Sequence, residues 1–334
     1  MINISPEKCK NLKGFTFIDL FAGIGGFRFA LESFKCKCVF SSEWDKNSQK
    51  TYFDNFKELP DGDITKILEE NIPSHDIIAG GFPCQAFSIS GKMQGFDDIR
   101  GTLFFDIVRI ANHHKPKVLL LENVKNLAIH NNGATLKTIL ETLDKIGYTV
   151  FYKILIASQY GLPQSRERIY FVCFRKDLGI SNFEFPSPTG KNINLLDILE
   201  DESLVNPTCY IERSDINIYG SKLLSPNLFP GSMNRPIQIG KMNKGGQGER
   251  IYSPLGHAIT LSAYGGGPGG KTGAYLINDK VRKLTPRECA RVQGFPEKFI
   301  LNPSKSISYT QFGNSVPVNV LQHILLNINK ALQK

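Results

Sequence analysis

The sequence predicts an α/β protein in which a mostly parallel sheet carries helices on both sides and a smaller, glycine-rich domain follows. Two observations predict the sheet. Short apolar runs alternate with amphipathic stretches through the first half of the chain, the pattern of strand–helix–strand units. Two of those runs end in glycine turns, at 23–26 and 80–81, as the ligand-binding edges of such sheets do. A third observation predicts the second domain: Pro186 and Pro188 break the pattern, and the chain beyond them is richer in Gly, Asn, Ser and Pro.

The elements follow in order. Residues 16–21, 37–42, 76–79, 117–121 and 169–174 read as strands. Phe27, Ala30, Leu31 and Phe34 recur at helical spacing after the first of them. Residues 135–146 form a helix with Leu136, Ile139, Leu140 and Leu143 on one face, and a helical pattern returns at 318–332 to close the first domain. Glycine is dense from 244 to 273. A flexible linker is one reading of that stretch. Gln247, Arg250, Ile251, Tyr252, Ile259, Leu261 and Tyr264 interrupt it and favour ordered loops that approach a ligand closely.

The bulk numbers exclude several classes. Among 334 residues, 41% are hydrophobic and 21% charged, ordinary for a soluble globular protein. No apolar run has the length of a membrane span, and residues 1–13 hold no apolar signal segment, so a cytoplasmic chain is expected. The seven cysteines are scattered without metal-ligand spacing; six read as small buried hydrophobes, and no metal is expected. A net charge of +9 fits a phosphate-contacting surface without requiring one.

Chemistry gathers at the strand ends. The first strand runs into Phe21-Ala22-Gly23-Ile24-Gly25-Gly26, a turn that sets a ligand against backbone N–H groups. Glu43 ends the second strand, where an acid bonds ribose hydroxyls. The pair points to a nucleoside-bearing cofactor. A dinucleotide is disfavoured because Arg28 stands where the third fingerprint glycine belongs. S-adenosylmethionine needs only the tight turn, the acid and an apolar wall for adenine. Phe21 and Trp44 suit that wall, although Trp44 reads equally well as a core aromatic.

Cys84 follows the glycine turn of the strand at 76–79 in Phe82-Pro83-Cys84-Gln85, and no histidine occupies a comparable place to serve as its base. Glu122 directly follows an apolar strand, where desolvation favours a proton-donating carboxyl. An exposed strand-end acid is the alternative. Arg166 and Arg168 share a face if extended; they hold an anion or a base carbonyl, or form a solvated basic face. A cysteine, a buried acid and a polar clamp beside a methyl donor suit methylation of cytosine at carbon 5. The thiolate adds to C6, an acid bonds N3, C5 attacks the methyl group, and loss of the C5 proton expels the thiol.

These segments resemble the cytosine-5 DNA methyltransferase family, in the family's order: DLFAGIGG (19–26), GGFPCQAFS (80–88), LENV (121–124), QSRER (164–168), RECARVQGFP (287–296) and QFGNSV (311–316). The resemblance covers nearly all of the chain. It implies a Rossmann-like S-adenosylmethionine-dependent sheet over 1–195 completed by 305–334, a target-recognition domain over 196–285 and a hinge over 286–304. It implies Cys84 as nucleophile, Glu122 as the N3 partner, and Arg166 and Arg168 as clamps on base and loop. The cofactor is implied to lie against Phe21, Gly23, Gly25, Glu43, Trp44, Asp63, Pro83, Leu103, Asn314 and Val316, with Asp63 on the adenine amino group. The target base is implied to flip out of duplex DNA, with residues 88–102 as the loop that closes over it.

Within the recognition domain, KGGQGERIYS (244–253) and AITLSAYGGG (258–267) resemble a member that reads GCGC, which sets that target, first cytosine methylated, as the expectation. Arg250 suits a bidentate contact to guanine, Tyr264, Gly266 and Gly267 the neighbouring base edges, and Gln247 with Ser90 the space left by the base. Contacts to phosphate alone are the alternative for Lys244, Arg250 and Lys271. A monomer acting in a restriction-modification system is expected. A tRNA cytosine-5 methyltransferase is the other enzyme reading, although that branch carries PPCQ where this chain has FPCQ. A DNA-binding module without catalysis is opposed by the presence of Cys84, Glu122 and Arg166.

Overall fold

The computed structural model describes residues 10–83, 103–219 and 235–333; Cys84 and Ser90 lie outside them, as does the whole of the expected loop at 88–102. The chain divides into two compact units. A sheet unit comprises Ile2–Leu155, Glu167–Pro186 and Leu321–Lys334, and a second unit comprises Ile156–Arg166 and Ser187–Val320. The helices are α1 (Gly26–Glu32), α2 (Lys46–Phe56), α3 (Leu103–His114), α4 (Ala134–Lys145), α5 (Pro286–Val292), α6 (Lys305–Asn314) and α7 (Val318–Ala331).

In the sheet unit, β1 (Thr16–Leu20), β2 (Lys37–Ser42), β3 (Ile77–Gly81), β4 (Val118–Val124), β5 (Tyr148–Ile156) and β6 (Glu167–Arg175) form one sheet ordered β2-β1-β3-β4-β6-β5. β2, β1, β3 and β4 run parallel, and β6 runs antiparallel to β4. Because β2 lies on one side of β1 and β3 on the other, the winding reverses at β1. Open α/β sheets bind ligands outside the carboxyl ends at such a reversal.

Register brings those ends level: Leu20 pairs with both Ser42 and Gly80, and Gly81 pairs with Glu122. Gly80 is required there, since a Cβ would stand 2.8 Å from the Leu20 carbonyl oxygen. Ile18, Leu20, Ile78, Leu119, Leu121, Ile169 and Phe171 of the strands, with Phe104, Ile139 and Leu143 of the helices, are fully buried in one core. Each such side chain contributes roughly 1.5–3 kcal/mol. The Asn329 side chain of α7 accepts hydrogen bonds from the amides of Asn11 and Leu12, each at 3.0 Å, tying the last helix to the start of the described chain.

The predicted strands are all present. β5, α2 and α3 were not predicted. β5 is an edge strand whose Tyr152, Lys153 and Ile154 are all exposed, so it lacks the alternation that marks a half-buried strand. α2 is mostly polar and starts from the Asp45 carboxylate, which accepts from the Ser48 amide at 2.8 Å.

The second unit is built on a sheet ordered β11-β10-β9-β8-β7, from β7 (Asn217–Ile218), β8 (Ile237–Lys241), β9 (Arg250–Ser253), β10 (Ala274–Ile277) and β11 (Lys280–Arg282). Its small core is Ile239, Met242, Ile251, Ala274 and Val281. The dense glycines are not a linker. A Cβ on Gly248 would lie 1.8 Å from the Gly266 carbonyl oxygen, and the Gly269 amide donates to the Gly248 carbonyl at 2.8 Å. Two glycine segments therefore pack backbone against backbone.

Candidate active site

At the carboxyl edge of the parallel strands, the predicted cofactor residues of the sheet unit meet. Phe21, Gly23 and Gly25 all have positive φ, so the turn after β1 coils tightly. The Glu43 carboxylate reaches across to it, accepting from the Gly23 amide and from the Asp45 amide, each at 2.8 Å. Burial pushes the Glu43 carboxyl up, and those two amides oppose the shift. Trp44, between Glu43 and the capping Asp45, is 79% exposed. That overturns the core-aromatic reading and leaves an indole face free to stack.

Residue 61 extends the β2 edge: the Asp61 amide donates to Ser41 and the Glu43 amide to the Asp61 carbonyl, both at 2.8 Å. This brings Gly62 and Asp63 beside Glu43. The Asp63 carboxylate accepts from the Thr65 hydroxyl at 2.8 Å, which holds it below the usual carboxylate range.

Arg28, which spoiled the dinucleotide pattern, is buried. Its guanidinium donates to Glu32 at 2.7 Å, Glu58 at 2.8 Å and the Tyr52 hydroxyl at 3.1 Å, bracing α1 against α2. Asp19 lies beneath this network, and burial pushes its carboxyl well up.

The β3 and β4 ends supply the other groups. Asn123 is buried and its side-chain amide donates to the Phe82 carbonyl at 2.8 Å, while its oxygen accepts from the Val124 amide at 2.7 Å. Asn123 thereby fixes the turn two residues before Cys84. The sequence reading missed this role, although its place beside Glu122 was a signal. Pro83 is exposed at the end of the turn, and Leu103 opens α3 packed on the core. Glu122 is 7% exposed, so it is not a solvated strand-end acid. The expectation of burial omitted its neighbour: Arg168 Nε lies 3.1 Å from Glu122 Oε1.

The remaining predicted residues lie in the second unit. Arg166, 2% exposed, donates to the carbonyls of Leu261 (3.1 Å), Gly313 (3.1 Å) and Ser315 (2.7 Å). The solvated-face reading is thus overturned, and the two arginines have different partners. Arg166 fastens the Leu261 segment to the end of α6, where Val316 is buried and Asn314 exposed. Gly313 permits the same approach, since its Cβ would stand 2.2 Å from the Ala263 amide nitrogen. On the packed glycine segments, Gln247, Arg250, Tyr264, Gly266 and Gly267 are all exposed, with Tyr264 at 88%. Arg250 Nε makes a long contact, 3.4 Å, to the Gly245 carbonyl.

Comparison with known proteins agrees with this geometry. The family described as C-5 cytosine-specific DNA methylase matches residues 15–330. The chain is 54% identical to the Type II methyltransferase M.HhaI of Haemophilus parahaemolyticus, over 97% of both chains. It is 43% identical to M.HpaII of Haemophilus parainfluenzae, over 95% of this chain and 90% of that one. Among solved structures, a putative DNA modification methyltransferase encoded within an E. coli prophage matches with a TM-score of 0.70 at 21% identity, covering 96% of this chain and all of that one. The S. pombe Dnmt2 methyltransferase matches at 0.66 and 20%, covering 96% and 98%. These two likenesses establish the fold.

Proposed function

The chain belongs to the C-5 cytosine-specific DNA methylase family and is a DNA cytosine-5 methyltransferase, and on that premise we propose that it methylates the first cytosine of GCGC in duplex DNA through a covalent bond from Cys84 to C6. The observation that carries the mechanism is the edge where Glu122, paired with Arg168, stands beside Asn123, whose amide holds the turn leading to Cys84.

The residues fit S-adenosylmethionine. Glu43 and the Gly23 turn would hold its ribose and amino-acid portions, the exposed Trp44 and Phe21 its adenine, and Asp63 the exocyclic amine. Leu103, Pro83, Gly25, Asn314 and Val316 complete the proposed set. When bound, it supplies an electrophilic methyl group carried on a sulfonium.

The chain's residues do the rest. The Cys84 thiolate adds to C6 of a base held outside the stack, and Glu122 bonds N3, which gains electron density as C5 becomes nucleophilic. Arg168 orients the Glu122 carboxyl. Elimination of the thiol follows loss of the C5 proton.

Arg250, Tyr264, Gln247 and the Gly266–Gly267 backbone read the site, and Ser90, outside the described residues, completes the proposed DNA-contacting set. The closely packed, exposed glycine segments support this, and so does the 54% identity to M.HhaI. The Type II names of the curated relatives support protection of DNA in a restriction-modification system, and favour DNA over tRNA. Bisulfite sequencing of plasmid from expressing cells tests the reading. Methylcytosine should occupy the first cytosine of GCGC, and a GCGC-cutting endonuclease should fail to cut. Full cleavage with methylcytosine elsewhere would refute the target and keep the family.

A further inference from the structure

Three lysines of the second unit converge on α6. Lys271 Nζ donates to the Thr310 hydroxyl at 2.7 Å and lies 3.4 Å from the Ser306 carbonyl. Lys305 Nζ donates to the Thr208 carbonyl at 2.9 Å and lies 4.0 Å from Cys209 Sγ. Lys283 donates its backbone amide to the Cys209 carbonyl at 2.9 Å, and its Nζ stands 6.0 Å from the centre of the Tyr309 ring. Among the described residues, none of these ammonium partners is a carboxylate. Burial holds the Lys283 ammonium below its ordinary range, and Lys305 and Lys271 add like-charge repulsion.

Like charges gathered without acids are a cost to the fold unless an anion meets them. In the same unit the more deeply buried Arg282 is matched by an acid, Glu288 at 2.7 Å. Lys271 also belongs to the proposed reading surface. The Lys271 carbonyl accepts from Ser262 at 2.9 Å, and a Cβ on Gly265, next to Tyr264, would touch the Lys271 amide nitrogen at 2.5 Å. The Lys271 backbone is thereby packed against the segment that carries Tyr264 and Gly266.

We propose that Lys271, Lys283 and Lys305 form a phosphate-binding patch for the DNA backbone flanking the target, setting affinity and register without reading sequence. The inference rests on the DNA-methyltransferase reading above. Such contacts release counterions, so each phosphate neutralised steepens the dependence of log K on log salt by about 0.9.

The test is duplex binding by the full chain at several salt concentrations, with a GCGC duplex and a scrambled one. Lys271→Gln, Lys283→Gln and Lys305→Gln should each lower the salt slope by about one and weaken both duplexes alike. Lys→Arg replacements, which keep the charge, should keep the slope. Thermal denaturation separates folding defects, and Lys→Met replacements, which remove the charge but keep the apolar stem, carry the test if a glutamine variant unfolds. Tight wild-type binding with unchanged slopes in the glutamine variants overturns the patch alone. Loss confined to GCGC overturns it in favour of base readout. A wild-type protein that binds no duplex sinks both this inference and the reading beneath it.

Discussion

Arg168 reaches Glu122 diagonally across two antiparallel strands, Nε to Oε1 at 3.1 Å, because Glu122 pairs with Tyr170 while Arg168 pairs with Val124 two residues on. Both side chains are nearly buried, so water screens the contact little. Glu122→Gln keeps the shape but removes the carboxylate. Single-turnover methylation should slow by about 10²–10⁴-fold with little change in DNA affinity. If DNA affinity collapses instead, Glu122 serves the fold and not the base.

Cys84→Ser should abolish methylation while titration calorimetry still detects S-adenosylmethionine, since the proposed pocket uses other residues. With wild-type enzyme and cofactor, duplex carrying 5-fluorocytosine should yield a covalent adduct on denaturing gels, because fluorine cannot leave as a proton does. Near-normal turnover by the serine variant, or no adduct, argues against attack at C6.

Arg166→Met should destabilise the protein. It leaves the carbonyls of Leu261, Gly313 and Ser315 without their donor in a buried place, and each orphaned group costs about 1–3 kcal/mol. Urea denaturation should show a loss of about 3 kcal/mol or more. A wild-type midpoint would mean that solvent reaches those carbonyls.

Gly248→Ala forces a methyl group into a space 1.8 Å from the Gly266 oxygen, so the two glycine segments must part. Overpacking of this kind costs about 1–3 kcal/mol. Site-specific DNA binding should weaken at least tenfold, while S-adenosylmethionine binding is retained. Equal weakening of both ligands would show that the damage spreads beyond the segments.

Burial lowers His75 to about 4, with the His114 ring 4.8 Å away opposing protonation and the Pro73 carbonyl and Asp76 favouring it. A depressed base contributes stability above its unfolded value near 6.5, and that contribution is lost as pH falls toward 4. The loss for this one group is about 3 kcal/mol. His75→Gln, which does not titrate, should flatten that part of the stability curve. An unchanged acid limb would assign it to other groups.

The sheet was legible because its strands are continuous apolar runs, and so was the cofactor edge, because glycines and acids fall directly after them. β5 was not, since an edge strand with both faces partly wet carries no period to read. Glu122 and Cys84 stood out as chemistry, but Asn123 did not, because its work is a long-range bond to the Phe82 carbonyl. Arg166 and Arg168, two residues apart, looked alike; only the fold gives one three carbonyls and the other a carboxylate. Glycines 248 and 313 are likewise set by contacts with distant backbone, which no local window contains.

The bond from the Asn11 amide to the Asn329 side chain spans 318 positions of sequence, and it lies within the sheet unit. A ribosome adding about 5–20 residues per second needs roughly 15–60 s to traverse that span. Until the end of that interval the nascent sheet unit lacks the Asn329 contact to Asn11 and Leu12, although the edge residues from Phe21 to Glu122 are made in its first part. The sheet unit therefore completes its fold only after every residue of the second unit has been made, so the two units do not mature one after the other in chain order.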